Sequence, residues 1–161
     1  MTICVRHLRK SGKISFYFLS EDLFMWRCPL CTSPIDITHQ PVKCENNHSF
    51  DKAKSGYVNL LPVQFKKSKQ PGDDKAMVLA RREFHEAGGY LPLMEAMVDV
   101  LDNEIPKGNS HPIQLYDAGC GEGAYLSYCY DALAKLGYEI NASGSDISKV
   151  AVDLAAKKSS R

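Results

Sequence analysis

Two groups of residues in this 161-residue chain have the types and spacing to do chemistry. The first is Cys28-Pro29-Leu30-Cys31, twelve residues, Cys44, three residues and His48. A C-x2-C turn aims two thiolates at one point. The second pair completes a tetrahedral Cys3His shell, and a closed four-ligand shell is structural, not catalytic. Soft thiolates with an imidazole and no carboxylate select zinc over magnesium or calcium. His39 lies inside the loop and competes with His48, but the short Cys44–His48 spacing favours the latter. Free thiols beside a surface histidine are the plain alternative, and four ligands at ribbon-like spacing weigh against it. So short a segment holds almost no core, and metal binding is expected to supply much of its folding free energy.

The second group is Asp117-Ala118-Gly119-Cys120-Gly121-Glu122-Gly123, directly after the strand-like Ile113-Gln114-Leu115-Tyr116. Glycines in such a turn let the backbone approach a ligand closely. The spacing is G-x-G-x-G, not the dinucleotide G-x-G-x-x-G. Asp117 ahead of the turn would repel a pyrophosphate but suits a cationic, phosphate-free cofactor. The motif therefore favours S-adenosylmethionine over NAD, the competing reading. Asp146, 27 residues beyond Gly119, is placed to accept hydrogen bonds from two ribose hydroxyls. Cys120 and Cys129 lack metal-like neighbours and read as packing or turn residues.

The elements that must hold these groups are legible around them. Residues 124–136 have helical character, Gly137 stops them, and Ile140 and Ala142 mark a second strand ending at Asp146. Ser148 then caps a further helix. This β-α-β-α order opens a doubly wound parallel sheet, with ligands expected at the carboxyl ends of the strands. Upstream, apolar residues from Met77 to Leu101 recur at helical spacing, broken at Gly88-Gly89 and restarted near Pro92. Asp73-Asp74 reads as the N-cap of the first of these helices. His85 on it reads as structural. Gly56 to Pro62 is expected to form a short strand packed back onto the zinc module.

Charge is unevenly spread. The net is +1 for the whole chain, but residues 52–82 carry +6 and residues 83–161 carry −6. Lys66, Lys67 and Lys69 form a basic loop suited to a polyanion, with Tyr57 or Phe65 to stack on unpaired bases. A solvated linker is the bland reading of the same run. Apolar residues at 44% and charged residues at 24% describe a globular chain. No apolar run approaches the ~20 residues of a membrane span. Six clustered cysteines suit metal in a reducing, cytoplasmic compartment more than a secreted disulfide scaffold. Arg6 to Leu19 mimics a signal peptide, but Glu21 and Asp22 interrupt it and no cleavage site follows. Residues 1–24 are expected to be a disordered extension, with translation starting at Met1 or Met25.

The fold expected is α/β: a small zinc-ribbon domain followed by an incomplete doubly wound (Rossmann-like) domain, which the family resemblance implies to be of the class I methyltransferase type. Its divisions are 1–24, 25–63 (zinc, RNA recognition), 64–110 (basic linker and helices) and 111–161 (two β-α units). Only 49 residues follow the start of the first strand of that second domain. The chain is therefore expected to be truncated and by itself inactive or nearly so.

The ribbon, then Gly56-Tyr-Val-Asn-Leu-Leu-Pro-Val63, Pro71-Gly-Asp73, Ala80-Arg-Arg82, Gly89-Tyr90-x-Pro92, Asp117-x-Gly-Cys-Gly-Glu-Gly123 and Asp146-x-Ser-Lys-Val-Ala151, resembles one known family. The family is the bacterial 23S ribosomal RNA (guanine-N1)-methyltransferases, and the resemblance covers about residues 26–161. It implies zinc on Cys28, Cys31, Cys44 and His48, and recognition of a 23S rRNA hairpin by the zinc domain. It also implies contact of Tyr90, Gly121 and Glu122 with S-adenosylmethionine and of Asp146 with its ribose, on a site that includes Asp117, Gly119 and Gly123. The family further suggests a possible homodimer. Two alternatives stand beside it: a zinc-dependent RNA-binding module without catalysis, and an NAD-dependent enzyme with structural zinc.

Overall fold

The computed structural model describes residues 3–7, 26–69, 71–108 and 111–159, with side chains from Trp26 onward. The chain is mixed α/β, as its patterning predicts, and is built outward from two small cores.

In the ribbon, β2 (Val42–Lys43) and β3 (Ser49–Phe50) form an antiparallel pair that carries the second metal turn between them. Isolated bridges from Arg27 to Pro34 and from Ile35 to Cys44 tie the first turn to the second. Contrary to expectation, this module has a core of its own. Cys28, Ile35, Ile37, Val42, Cys44, Val58 and Leu60 are buried together, with Trp26 and Phe50 at its margin. The reason lies downstream: the chain turns at Gly56 and returns through β4 (Val58–Asn59), which pairs with Lys52 and delivers Val58 and Leu60 to the ribbon. Alternation along an extended segment then points Tyr57 the other way.

A single 3-10 turn, Val63–Phe65, leads into the lysine loop. Helix α1 (Lys75–Glu86) starts where the sequence predicts, with an Asp74 Oδ1 acceptor 2.9 Å from the Met77 amide. It stops at Gly88-Gly89 and α2 (Leu91–Glu104) follows with Pro92 in its first turn. The Phe84 ring packs over Gly89, where a Cβ would displace it.

Strand β5 (Ile113–Ala118), helix α3 (Ala124–Lys135), strand β6 (Ile140–Asp146) and helix α4 (Lys149–Ser159) form the β-α-β-α unit. The two strands are parallel, in register from Ile113 against Ile140 to Ala118 against Ser145. Leu126, Leu133, Ile140 and Ala142 make its core, and α2 closes it with Val98, Leu101 and Ile105. Gly137, at φ +93°, ends α3 as predicted, and the Ser148 hydroxyl accepts from the Ala151 amide at the start of α4.

One expectation needs correcting. Within the segment 1–24, expected to be disordered, Ile3–His7 forms strand β1, antiparallel to both β4 and β6. The sheet order is β4-β1-β6-β5. A parallel strand with an unpaired flank presents a row of backbone donors and acceptors, and a five-residue extended segment satisfies them. The remainder of that segment, including the signal-like run, lies outside the described residues. No helix among the described residues is long and apolar enough to cross a membrane.

Candidate functional site

The four metal-type residues come together. Cys28, Cys31, Cys44 and His48 place one ligand atom each within 4.8 Å of one another. Cys31 Sγ lies 3.7 Å from Cys44 Sγ, and His48 Nδ1 lies 3.4 Å from Cys44 Sγ and 3.6 Å from Cys28 Sγ. A tetrahedron with ~2.3 Å metal–sulfur bonds has edges of about 3.8 Å, close to these three separations, so the donor set suits a zinc ion. Local backbone produces it. Thr32, directly after Cys31, and Asn47, directly before His48, adopt left-handed conformations at φ 61° and 62° that turn the chain at each pair. The Cys28 amide bonds Ser33 O at 2.8 Å, and Asn47 N bonds Cys44 O at 2.9 Å. Hydrogen bonds from Asn46 and Ser33 pull the Cys31 thiol down to about 5, which favours the thiolate a metal needs. Burial pushes Cys28 the opposite way, so its ionisation calls for a cation. His39 is no ligand: its Nδ1 is 2.8 Å from Asp36 Oδ2, on the exposed side of the loop.

The glycine turn sits at the carboxyl end of β5, where a doubly wound unit binds its ligands. Gly119, Gly121 and Gly123 all have positive φ, at 88°, 55° and 81°. A Cβ on Gly119 or Gly121 would meet nothing within 4 Å. Open space therefore lies over the turn, which a side chain would fill and a ligand can use. The turn is held by Ser145 O, which accepts the amides of Gly119 at 2.7 Å and Cys120 at 2.9 Å.

Asp146 ends β6 beside it. One carboxylate oxygen accepts the Gly121 amide at 3.0 Å and the other the Ser148 amide at 2.7 Å. Each oxygen keeps a second lone pair, so the group can tie turn to helix and still receive a hydroxyl pair. Asp117 is half-buried behind the turn, and burial followed by the Asp146 charge raises its carboxyl above the ordinary range. Cys120 is buried and its thiol is pushed up to about 12, mainly by desolvation, so it is no nucleophile. Burial raises Cys129 too. Both are packing groups, as the sequence reading has them.

Glu122 and Tyr90 lie on the other side. Glu122 is buried and its Oε1 is 3.3 Å from His85 Nδ1. Tyr90, the residue preceding α2, is 45% exposed and its ring stacks edge-on against Phe84 at 5.0 Å. Tyr125, in the first turn of α3, approaches Tyr90 at 6.3 Å and His85 at 5.3 Å between ring centres. Tyr125 and His85 are absent from the residues singled out by motif. A pattern of aromatic residues on α1, before α2 and after Gly123 is the signal that could have suggested them. Gly144 was also passed over. A Cβ there would lie 2.8 Å from Cys120 Cβ and 3.0 Å from its Sγ, so the strand is bare where the turn presses on it.

The two modules meet. Tyr57 is buried against Val152, Ala155 and Ala156 of α4, and Ser55 Oγ donates to Asp153 Oδ1 at 2.6 Å. Trp26 packs edge-on against Tyr116 of β5 at 5.7 Å. Burial removes Tyr57 from the residues that could stack on a base. Phe65, 46% exposed beside exposed Lys66, Lys67 and Lys69, keeps that capacity. Arg81 is paired with Asp73 and Arg82 with Glu86.

A Cys3His ribbon joined to a glycine-turn α/β unit defines a metal-stabilised module coupled to a ligand-binding sheet. Residues 26–69 match the family model described as RlmA, N-terminal, a zinc ribbon. A putative 23S rRNA (guanine-N1)-methyltransferase of Micromonospora griseorubida is 33% identical over 149 residues, covering 81% of this chain and 47% of that protein. A 23S rRNA (guanine(748)-N1)-methyltransferase of Streptomyces fradiae is 36% identical over 101 residues, covering 63% and 34%. The putative enzyme YxjB of Bacillus subtilis strain 168 is 31% identical over 144 residues, covering 84% and 47%. The similarity extends over both modules, and the resemblance to the 23S rRNA (guanine-N1)-methyltransferase family is borne out. The chain spans about half the length of these relatives.

Proposed function

We propose that this chain carries the zinc module and the S-adenosylmethionine half-site of a 23S rRNA guanine-N1 methyltransferase. The observation that carries the reading is the open glycine turn at the end of β5, with Asp146 bonded to the Gly121 amide. It stands on the same chain as a ribbon of the RlmA type. A phosphate-binding turn would gain nothing from the Asp117 carboxylate at its base, whereas a cationic ligand would. That argument favours the sulfonium cofactor over NAD.

S-adenosylmethionine, when bound, supplies a methyl group already activated by positive sulfur. The residues of this chain then have positioning to do. Asp146 would take the ribose hydroxyls, the backbone of Gly119 to Gly123 would line the closest approach, and Glu122 and Tyr90 would border the remaining side. Proximity and alignment account for much of the rate in such a transfer. The guanine must be unpaired or extruded before its N1 is reachable. For RNA, the basic loop offers Lys66, Lys67 and Lys69 to phosphates and Phe65 to a base, beside the ribbon that would recognise a hairpin. A ribosomal substrate and the need for reduced thiols favour the cytoplasm as the site of this work. A homodimer of the complete enzyme belongs to the same proposal.

The 161-residue chain is expected to bind S-adenosylmethionine without transferring its methyl group. Calorimetry with S-adenosylmethionine and with NAD, followed by methyl transfer to a 23S rRNA hairpin, tests these points. Affinity for S-adenosylmethionine and not NAD supports the reading. RNA binding that depends on zinc, with no affinity for either cofactor, would replace it with the RNA-binding module.

A further inference from the structure

Helix α1 lies outside the β-α-β-α unit in sequence, yet it sends one ionisable side chain to the glycine turn. His85 sits on its last turn with a side chain 8% exposed, and Glu122 opposite is 6% exposed. Their Nδ1 and Oε1 atoms are 3.3 Å apart. The imidazole is also clamped by rings: Tyr125 stands edge-on to it at 5.3 Å and Tyr90 is tilted against it at 5.9 Å. Phe84 stands edge-on to Tyr90 at 5.0 Å and covers Gly89. A ring held on several sides has little freedom to turn, so its Nδ1–H meets one carboxylate oxygen in a set direction.

A buried carboxylate needs a hydrogen-bond donor to offset its lost hydration. The amides of the turn are engaged elsewhere, Gly119 on Ser145, Gly121 on Asp146 and Gly123 on Cys120, and the nearby Arg82 guanidinium is bonded to Glu86. The donor comes instead from the helix that links the ribbon to the α/β unit.

We propose that His85 is a positioning residue: its Nδ1–H fixes the Glu122 carboxylate at the edge of the glycine turn, where that carboxylate receives a cationic ligand. The proposal rests on the S-adenosylmethionine reading above and adds a residue to it. His85 itself does not touch the cofactor. The aromatic clamp, Tyr90 and Tyr125, makes the arrangement specific, since a slack ring would share its proton with water.

Five proteins test this: the wild-type chain, Glu122→Gln alone, and three His85 variants, namely His85→Leu, His85→Asn and His85→Leu combined with Glu122→Gln. An asparagine amide reaches about where Nδ1 lies and retains the donor. Calorimetric affinity for S-adenosylmethionine is expected to fall about tenfold or more in His85→Leu, the size of one hydrogen bond to a charged group. It should stay within about threefold in His85→Asn for the same reason. Added to Glu122→Gln, the His85→Leu change should cost nothing further, because its effect runs through Glu122. A purely structural His85 would lower the melting temperature in all three variants and leave affinity per folded molecule unchanged. Nitrogen NMR of the unliganded chain is independent of the cofactor, and it should find the His85 proton on Nδ1. A bare Nδ1, or equal affinities for wild type and His85→Leu, overturns the positioning role alone. A wild-type chain with no affinity for S-adenosylmethionine overturns the cofactor reading and this role with it.

Discussion

Replacing Gly144 with alanine probes how the glycine turn is seated on β6. The added methyl would stand 2.8 Å from Cys120 Cβ, 3.0 Å from its Sγ and 3.2 Å from Leu126 Cδ2. Those neighbours cannot yield freely. Cys120 belongs to a turn pinned by Ser145 O, and Leu126 lies in the core between α3 and the sheet. Overpacking of this kind costs about 1–3 kcal/mol. For a domain of this size each kcal/mol moves the melting temperature by roughly 2–4 °C, so Gly144→Ala should melt roughly 2–12 °C lower. The companion change Cys120→Gly removes both the Cβ and the sulfur that the methyl meets. Alone it forfeits a buried thiol, but combined with Gly144→Ala it should recover about 1 kcal/mol relative to the sum of the single changes. Urea denaturation followed by circular dichroism measures all four corners of this cycle. Trp26, the chain's one tryptophan, reports the ribbon in the same titration. If Gly144→Ala unfolds with the wild type, or if the double variant is merely additive, the contact between strand and turn does not have the importance assigned to it.

Other outcomes follow from the same geometry. Chelation of the metal should abolish the ribbon's cooperative unfolding, with one equivalent of zinc restoring it, while Cys44→Ser should leave the ribbon unable to bind tightly at all. Tyr57→Ala empties the contact with Val152, Ala155 and Ala156 and should cost about 3 kcal/mol, read as faster proteolysis between ribbon and α4. Asp153 is held below the usual carboxylate range by Lys157 and then by Ser55. Its contribution is present at neutral pH and lost as pH falls through that lowered value, so Asp153→Asn should flatten the acid limb of stability. Replacing Lys66, Lys67 and Lys69 by glutamine should reduce the salt dependence of RNA binding by about 0.7 per lost phosphate contact, measured by fluorescence anisotropy.

Local signals carried much of the architecture. Asp74, the Gly88-Gly89 break, Pro92, Gly137 and Ser148 act through the backbone within a few residues of themselves, so the ends of α1, α2, α3 and α4 were readable in one dimension. The same holds for the metal ligands: a C-x2-C turn brings its thiolates together by chain geometry before any packing occurs. The spacing of the glycine turn and the carboxylate at the end of the next strand are equally local. The strand order around β6 was not local. Nothing in Ile3–His7 names its partner, because pairing depends on which edge lies open once β5 and β6 have joined.

What the sequence determined by itself, then, was the set of chemical groups and the periods of the elements carrying them: three thiols and an imidazole, a glycine turn, two strand-ending carboxylates. Tertiary structure alone decided which faces met. Tyr57, adjacent to the ribbon and apparently free for a base, is buried on α4 because alternation in an extended segment sends Val58 and Tyr57 to opposite sides. Likewise His85, a histidine on an unremarkable helix, comes to face Glu122 only after two helices and a strand have packed. Contacts between residues far apart in the chain are set by the summed burial of many side chains, and that quantity belongs to the folded whole.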